Sequence, residues 1–297
     1  MSKTLAPMPD SPAPPVEDLS EWDLVLTPER PWFDLRLREL WEYRDLIRLF
    51  FKRDLVTTYK QTILGPFWFV AQPVLMALVY WFFLGRVAKV VTKGVPQFLF
   101  FMSGIILWQF FSQCLTRTAT TLSANSGIFG KVYFPRLTVP LSVVMTNGLT
   151  FGIQFVLFLF MFGVAWWLGV PVHPNWRVIV LPFLLVQMAA LALGAGCIVA
   201  ALTTRFRDLS FVVQFAVQLG MWLSCVVTPL EMIGKDKRLL FILNPMVPII
   251  EGFRYAFIGY GVIEFWHLAI SAGVTAVIFV VGVVMFRHVE NTFLDTI

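Results

Sequence analysis

Six long apolar runs that contain no Asp, Glu, Lys or Arg set the main limit on how this chain can fold. The runs cover about residues 63–84, 98–115, 139–168, 178–202, 209–229 and 266–286. A helix needs about 20 apolar residues to cross the roughly 30 Å hydrocarbon core of a bilayer. The runs therefore predict an all-α polytopic membrane protein with six transmembrane helices and both termini on one side.

Composition supports a membrane protein and argues against a soluble domain, a nucleic-acid-binding protein and a metalloprotein. The 297 residues are 58% hydrophobic and 14% charged, whereas soluble domains average about 45–50% and about 25%. We assign the net charge of +5 to the basic flanks of membrane helices, and we expect no nucleic-acid partner. The cysteines Cys114, Cys197 and Cys225 are expected to be packing residues. The scattered His and Cys residues predict no metal site.

Two segments precede the first run. Residues 1–30 are rich in Pro and acidic residues and are predicted to form a disordered cytoplasmic tail. Within residues 31–62, apolar side chains recur at helical spacing opposite charged ones, which predicts an amphipathic helix in the membrane interface. A packing helix of a small soluble domain is the alternative. Residues 63–297 would form the transmembrane domain.

Charge distribution favours cytoplasmic termini. With the N-terminus inside, the inner segments carry 15 Lys/Arg and the outer loops carry 8. Counting only the last twenty residues before the first run leaves 11 against 8.

The loop at 230–265 contains an apolar run, Leu239–Ile250, that is too short to span and is interrupted by Pro245 and Pro248. Runs of this length suit re-entrant segments. We predict two short helices between spans five and six that dip into the membrane from the external side.

Acidic residues are absent between Asp54 and Asp208, and no Asp, Glu, Lys or Arg lies in any span. Ion-coupled transporters commonly use such groups.

No Walker A motif is present, so the sequence predicts a permease that is not itself an enzyme and depends on a separate ATPase. A membrane-embedded glycan-modifying enzyme is the alternative, although its candidate acids form no motif. These acids are Asp208, Glu231, Asp236, Glu251 and Glu264.

Three blocks carry a family resemblance: Asp54–Pro73, then Arg207-Asp208-Leu209 with Thr228-Pro229, and Leu243–Arg254. Over about residues 40–290 the chain resembles the membrane subunit of ABC-2 type exporters, in particular those that export O-antigen and capsule polysaccharide. The resemblance implies a homodimer around a canal in the bacterial inner membrane. It also implies two cytoplasmic ATPase subunits, which would bind ATP and Mg, and a lipid-linked polysaccharide cargo moved to the periplasm. A permease for a lipid or drug is the alternative.

The same resemblance implies a coupling segment at 123–136, a second cytoplasmic contact at 203–208 and an external gate in 230–265. If the N-terminus is inside, the coupling segment would expose aromatic knobs beside basic residues, which suits a groove on a partner. A plain connecting loop, or basic anchors alone, is the alternative. The coupling candidates are Phe129, Lys131, Tyr133, Phe134, Arg136, Arg205, Arg207 and Asp208. The gate candidates are Asn244, Pro245, Pro248, Glu251 and Arg254.

Three spans place uncharged amides beside aromatic or Met side chains at helical spacing, a pattern that can bind sugar hydroxyls and ring faces. Hydrogen bonding between helices is the alternative function of these amides. The canal candidates are Trp68, Gln72 and Met76, then Asn147, Phe151 and Gln154, then Phe211, Gln214, Gln218 and Trp222. The first and fifth spans are favoured, because Gly148 and Gly152 suit the third span to close helix packing.

Overall fold

A computed structural model describes residues 37–60, 67–90, 94–129, 134–172, 174–206, 208–261 and 264–293. All of them belong to one compact unit. Its regular elements are helices throughout the described ranges, as the apolar runs predict. The predicted tail at 1–30 lies outside the described residues.

Twelve α-helices are described. They are α1 Leu37–Glu42, α2 Arg44–Lys60, α3 Phe67–Tyr80, α4 Gln97–Ala119, α5 Thr121–Ala124, α6 Ser126–Phe129, α7 Thr138–Trp167, α8 Leu181–Arg205, α9 Leu209–Leu223, α10 Lys235–Ile242, α11 Met246–Ile258 and α12 Phe265–Phe293. A π-helical turn, Trp81–Val87, extends α3, and a 3₁₀ turn, Trp176–Val180, leads into α8.

Five of the six predicted spans are helices long and apolar enough to cross a membrane. The exception is the run at 209–229, where α9 has 15 residues and ends at Leu223. At 1.5 Å per residue, α9 is only about 22 Å long. The pair α10–α11 is bent by 97° and counts as a sixth candidate span or as a re-entrant loop. The predicted pair of short helices in the 230–265 loop is therefore confirmed, and the membrane side on which it lies remains a prediction.

The N-terminal amphipathic segment forms two helices, α1 and α2, with a turn at Tyr43. Leu40 and Phe50 bury their side chains, while Trp41 and Leu49 stay 72% and 60% exposed. Helix α2 packs against α7. Whether its exposed side lies in the membrane interface remains a prediction.

Helix α4 is the centre of the bundle. In the most apolar stretch of α4, 78% of the residues are buried, whereas in the corresponding stretch of the first span, Phe67–Val87, only 11% are buried. It packs against α3, α7, α8, α9 and α11. A helix that is apolar all round can be buried on every side in this way. The three cysteines are also buried, as predicted.

Helices α8 and α12 approach each other closely through paired glycines. A Cβ added at Gly194 would lie 2.5 Å from the Cα of Phe279, and one at Gly282 would overlap the backbone of Gly194. Small residues at such crossings let two backbones approach within the bilayer.

We expect Gly194→Ala to destabilise the protein by about 1–3 kcal/mol, because the new methyl group meets backbone atoms that cannot rotate away. Gly273→Ala on α12 is the matched control, since nothing lies within 4 Å of its added Cβ. Thermal unfolding of the two purified variants checks this. Equal midpoints for both would contradict the close-packing account.

Candidate functional site

Arg254 on α11 is fully buried and is the best-coordinated polar side chain described in the chain. Its Nη1 donates to the Cys225 carbonyl oxygen at 2.7 Å and to Oε1 of Glu251 at 3.3 Å. Its Nη2 donates to the carbonyl oxygens of Val226 at 2.6 Å and Phe100 at 3.3 Å. Its Nε donates to Oγ of Ser103 at 3.3 Å. All five guanidinium N–H groups are therefore used.

The surroundings of this guanidinium are shaped to admit it. Its Cζ lies 3.6 Å from the centre of the Phe100 ring, a cation–π distance. Gly104 leaves the necessary space, because a Cβ there would lie 2.6 Å from Nη2 of Arg254. The guanidinium therefore joins α4, the backbone after α9 and α11 into one unit.

Tyr260 and two carboxylates complete this cluster. Burial, then the nearby carboxylates of Glu231 and Glu251, raise the pKa of Tyr260 to about 12, so the phenol stays protonated near neutral pH. Its side chain hydrogen-bonds Glu231, and its ring packs edge-on against Phe100 at 5.7 Å. Neutral Tyr260 thus places a donor beside Glu231, and cationic Arg254 places one beside Glu251.

Asn244 connects the end of α9 to the start of α11. Its Nδ2 donates to Oγ of Ser224 at 2.9 Å and to the Leu223 carbonyl oxygen at 3.2 Å. Its Oδ1 accepts from the Met246 backbone N–H at 3.1 Å, which satisfies the first N–H group of α11. One amide thus fixes both helix ends.

A second chain of polar groups holds the bent pair α10–α11, called the α10–α11 hairpin below, to the long helices. Gln187 on α8 donates to Oγ of Ser271 on α12 at 2.6 Å, and that hydroxyl donates to the Pro245 carbonyl oxygen at 2.7 Å. Pro248 is buried within α11. The five predicted gate residues therefore lie together in one hairpin, but the structure holds α11 as part of the core.

The canal candidates fall into two groups. On α3, Trp68 and Met76 are 50% and 40% exposed, and on α9 Phe211 and Trp222 are 74% and 51% exposed. Gln72, Gln214 and Gln218 are exposed with them. These two stripes are open surfaces of the single chain.

The third-span candidates lie inside the protomer instead. Asn147, Phe151 and Gln154 are 2%, 7% and 3% exposed. Asn147 donates to the Val143 carbonyl oxygen at 2.9 Å, and Gln154 donates to the side-chain oxygen of Gln109 at 3.0 Å. These contacts favour the alternative of hydrogen bonding within and between helices, so we keep the canal assignment for α3 and α9 only.

The coupling candidates are only partly described, since Lys131, Tyr133 and Arg207 lie outside the described residues. The expectation that aromatic knobs protrude is wrong for Phe129 and Phe134, which are each 5% exposed. Their rings lie 5.5 Å apart, and Phe50 of α2 packs on Phe134 at 5.7 Å, which hides both from solvent.

The charged coupling candidates differ in exposure. Arg136 is buried, with its guanidinium 5.3 Å from the Phe129 ring centre. Arg205 ends α8 and Asp208 precedes α9, and both are exposed. Only these two described candidates are therefore available to a partner in this conformation.

Sequence reasoning missed the partners of Arg254. Four of its hydrogen bonds reach backbone carbonyls or Ser103, and carbonyls leave no mark in a sequence. The pair Ser103-Gly104, two small residues inside a run of bulky ones, was the available signal. No group of three or more His, Cys, Asp or Glu able to hold a metal ion is found among the described residues.

Comparison with known proteins gives a consistent picture. A family model described as ABC-2 type transporter matches residues 45–258. The O-antigen export system permease protein RfbA of Klebsiella pneumoniae is 27% identical over 259 residues, 84% of this chain and 94% of that protein. RfbA of Myxococcus xanthus is 29% identical over 266 residues, which cover 88% of this chain and 98% of that protein. The polysialic acid transport protein KpsM of Escherichia coli is 24% identical over 252 residues, which cover 84% of this chain and 95% of that protein.

Arg254→Met should lower the free energy of unfolding by about 3–5 kcal/mol, because the Glu251 carboxylate then stays buried without its charge partner. Arg254→Lys should not restore it, since an ammonium has three donors and no planar fork. Thermal unfolding in detergent measures both.

Arg177→Met is the control for this pair, since Arg177 is exposed and stacks 4.8 Å from the Tyr255 ring centre. Loss of that contact should cost at most about 1 kcal/mol. If Arg254→Met and Arg177→Met unfold at the same temperature, the guanidinium network does not hold the hairpin.

Proposed function

The chain belongs to the ABC-2 type transporter family, and we propose that it is the membrane subunit of an ATP-driven exporter that moves a lipid-linked polysaccharide from cytoplasm to periplasm. One observation carries the proposal: relatives named for O-antigen export and polysialic acid transport align with 84% or more of this chain. The family model covers residues 45–258, which run from α2 to the end of α11 and include the α10–α11 hairpin.

A second copy of the chain would complete the conduit. The stripes on α3 and α9 present amides and rings on the outside of a single protomer. Amides facing lipid hydrocarbon are costly when they lack hydrogen-bond partners. Two protomers that turn these stripes toward a shared, hydrated canal would remove that cost. Aromatic faces beside uncharged amides suit a sugar chain that must slide.

Energy would come from a cytoplasmic ATPase subunit, two copies to a dimer, which binds ATP and Mg. In the N-inside orientation, the contact would use the region around 123–136 together with Arg205 and Asp208. Phe129 and Phe134 would stiffen this region from within, because α2 covers them. The α10–α11 hairpin would lie on the periplasmic side as the gate.

Deleting the gene in its host tests the proposal. We expect surface polysaccharide to disappear and lipid-linked polymer to accumulate inside the cell, because synthesis continues while export stops. Complementation with the intact chain is the control, and glycan immunoblots of whole and lysed cells are the measurement. Unchanged surface glycan after deletion would contradict the polysaccharide cargo and would favour a lipid or drug.

Cysteine accessibility tests the canal. The native cysteines are buried, at 0% exposure each, so they give little background. In the assembled exporter, Gln72→Cys and Gln218→Cys should react with a charged, water-soluble maleimide, because both face the hydrated canal. Val186→Cys on α8 is the control, since Val186 is 68% exposed and faces lipid in this account. Equal, slow labelling at all three positions would place the stripes in lipid.

A further inference from the structure

Helix α9 is the most loosely held of the long apolar helices. None of its 15 residues is buried. Two cavities separate it from α4 and α8, with volumes of about 480 Å³ and about 320 Å³. Both volumes fall in the range of about 300–1,000 Å³ that is typical of ligand pockets.

The larger cavity is lined with hydroxyl groups. It lies where α4 ends, α8 ends and α9 begins, and its lining includes Thr116, Thr120, Thr203 and Thr204. Each of these hydroxyls donates to a backbone carbonyl, as Thr204 does to the Ala201 oxygen at 2.7 Å and Thr116 to the Ser112 oxygen at 2.7 Å. A hydroxyl has one hydrogen and two lone pairs. These four threonine hydroxyls therefore offer acceptors to a ligand that supplies donors.

The smaller cavity continues from the larger one and is apolar. Val199 and Val213 line both. Beyond them the wall is formed by residues such as Leu115, Val217 and Ile278, and its polar members Ser224 and Asn244 lie at the far end. The two cavities together make a crevice behind α9 that begins polar and becomes apolar along the helix.

We propose that this crevice binds a bilayer phospholipid with an ethanolamine headgroup, which fills the space between α9 and the rest of the protomer. The primary ammonium is donor-rich and matches the threonine acceptors, whereas the quaternary ammonium of choline carries no N–H. One acyl chain occupies the apolar part between Val213 and Leu115.

Two further features fit this occupant. Arg117 lies in the last turn of α4 and directly follows Thr116 of the polar cavity in the sequence, so a lipid phosphate at the polar end would have a cation near it. Lipid also explains how an apolar helix without buried side chains keeps its place beside the bundle, because the acyl chain supplies the missing packing. Of the α9 canal stripe, Gln214 alone also lines the larger cavity, and the proposed lipid site does not depend on the cargo.

Adjacent valines on α9 provide the first test. Val213→Phe places a ring in the crevice, while Val212→Phe adds the same ring to a position that is 57% exposed and outside both cavities. The full chain is assembled in nanodiscs of phosphatidylethanolamine or phosphatidylcholine and released for native mass spectrometry. We expect the wild type and Val212→Phe to retain phosphatidylethanolamine at least about tenfold better than phosphatidylcholine. Val213→Phe should lose that lipid.

The double variant Thr203→Val and Thr204→Val tests the headgroup contacts without changing side-chain volume. Loss of hydrogen bonds to a charged group should weaken retention of phosphatidylethanolamine by about tenfold or more. Thr57→Val is the control, because Thr57 makes the same type of bond, to the Arg53 oxygen at 2.9 Å, on exposed α2. This pair remains decisive if Val213→Phe fails to fold.

Three results would overturn the proposal. Retention of both lipids to the same degree would remove the headgroup claim. Undiminished retention in the double threonine variant would do the same. A retained mass that belongs to a different lipid would identify another occupant of the crevice.

Discussion

The buried guanidinium of Arg254 ties three parts of the helix bundle to one another. A charge removed from water is tolerated only when its donors are fully used, and here all five are. The acceptors come from α4, from the backbone after α9 and from α11 itself. One side chain therefore fixes the central helix, the end of α9 and the hairpin relative to each other.

This arrangement limits how the hairpin can move. Helix α11 is buried along nearly its whole length, whereas α10 has exposed Leu239 and Leu240 and packs mainly on α11. The 97° bend between them lies at Asn244 and Pro245. We therefore expect any gating motion to belong to α10 and the bend, with α11 staying in place. The loosely held α9 and the open side of α3 are the other parts free to adjust.

The sequence predicted the fold class, five of the spans and the position of the hairpin, because long uncharged runs and prolines have few alternative structures. It did not predict the end of α9. The run stays apolar to Val227, but Cys225 adopts a left-handed conformation, with φ 55°, and directs its carbonyl to Arg254. Helix α9 therefore ends because of a contact with Arg254, which is distant in sequence and which the local sequence pattern does not reveal.

In the candidate sites, too, the sequence pattern predicted some features, whereas tertiary contacts determine others. Exposure on α3 and α9 agrees with their amphipathic spacing, while the third-span amides turned out to bond inside the protomer. Burial of Phe129 and Phe134 could not be foreseen, because it depends on α2, a helix about eighty residues earlier in the chain.

Reconstituted transport can show whether this chain and an ATPase subunit together move a lipid-linked glycan. The purified chain and its ATPase subunit are placed in proteoliposomes with a fluorescent lipid-linked glycan, and appearance of the glycan in the protected compartment is followed after ATP addition. We expect movement of the glycan that requires ATP, both proteins and an intact Arg254. ATP hydrolysis by the complete assembly without any movement of the glycan would contradict it.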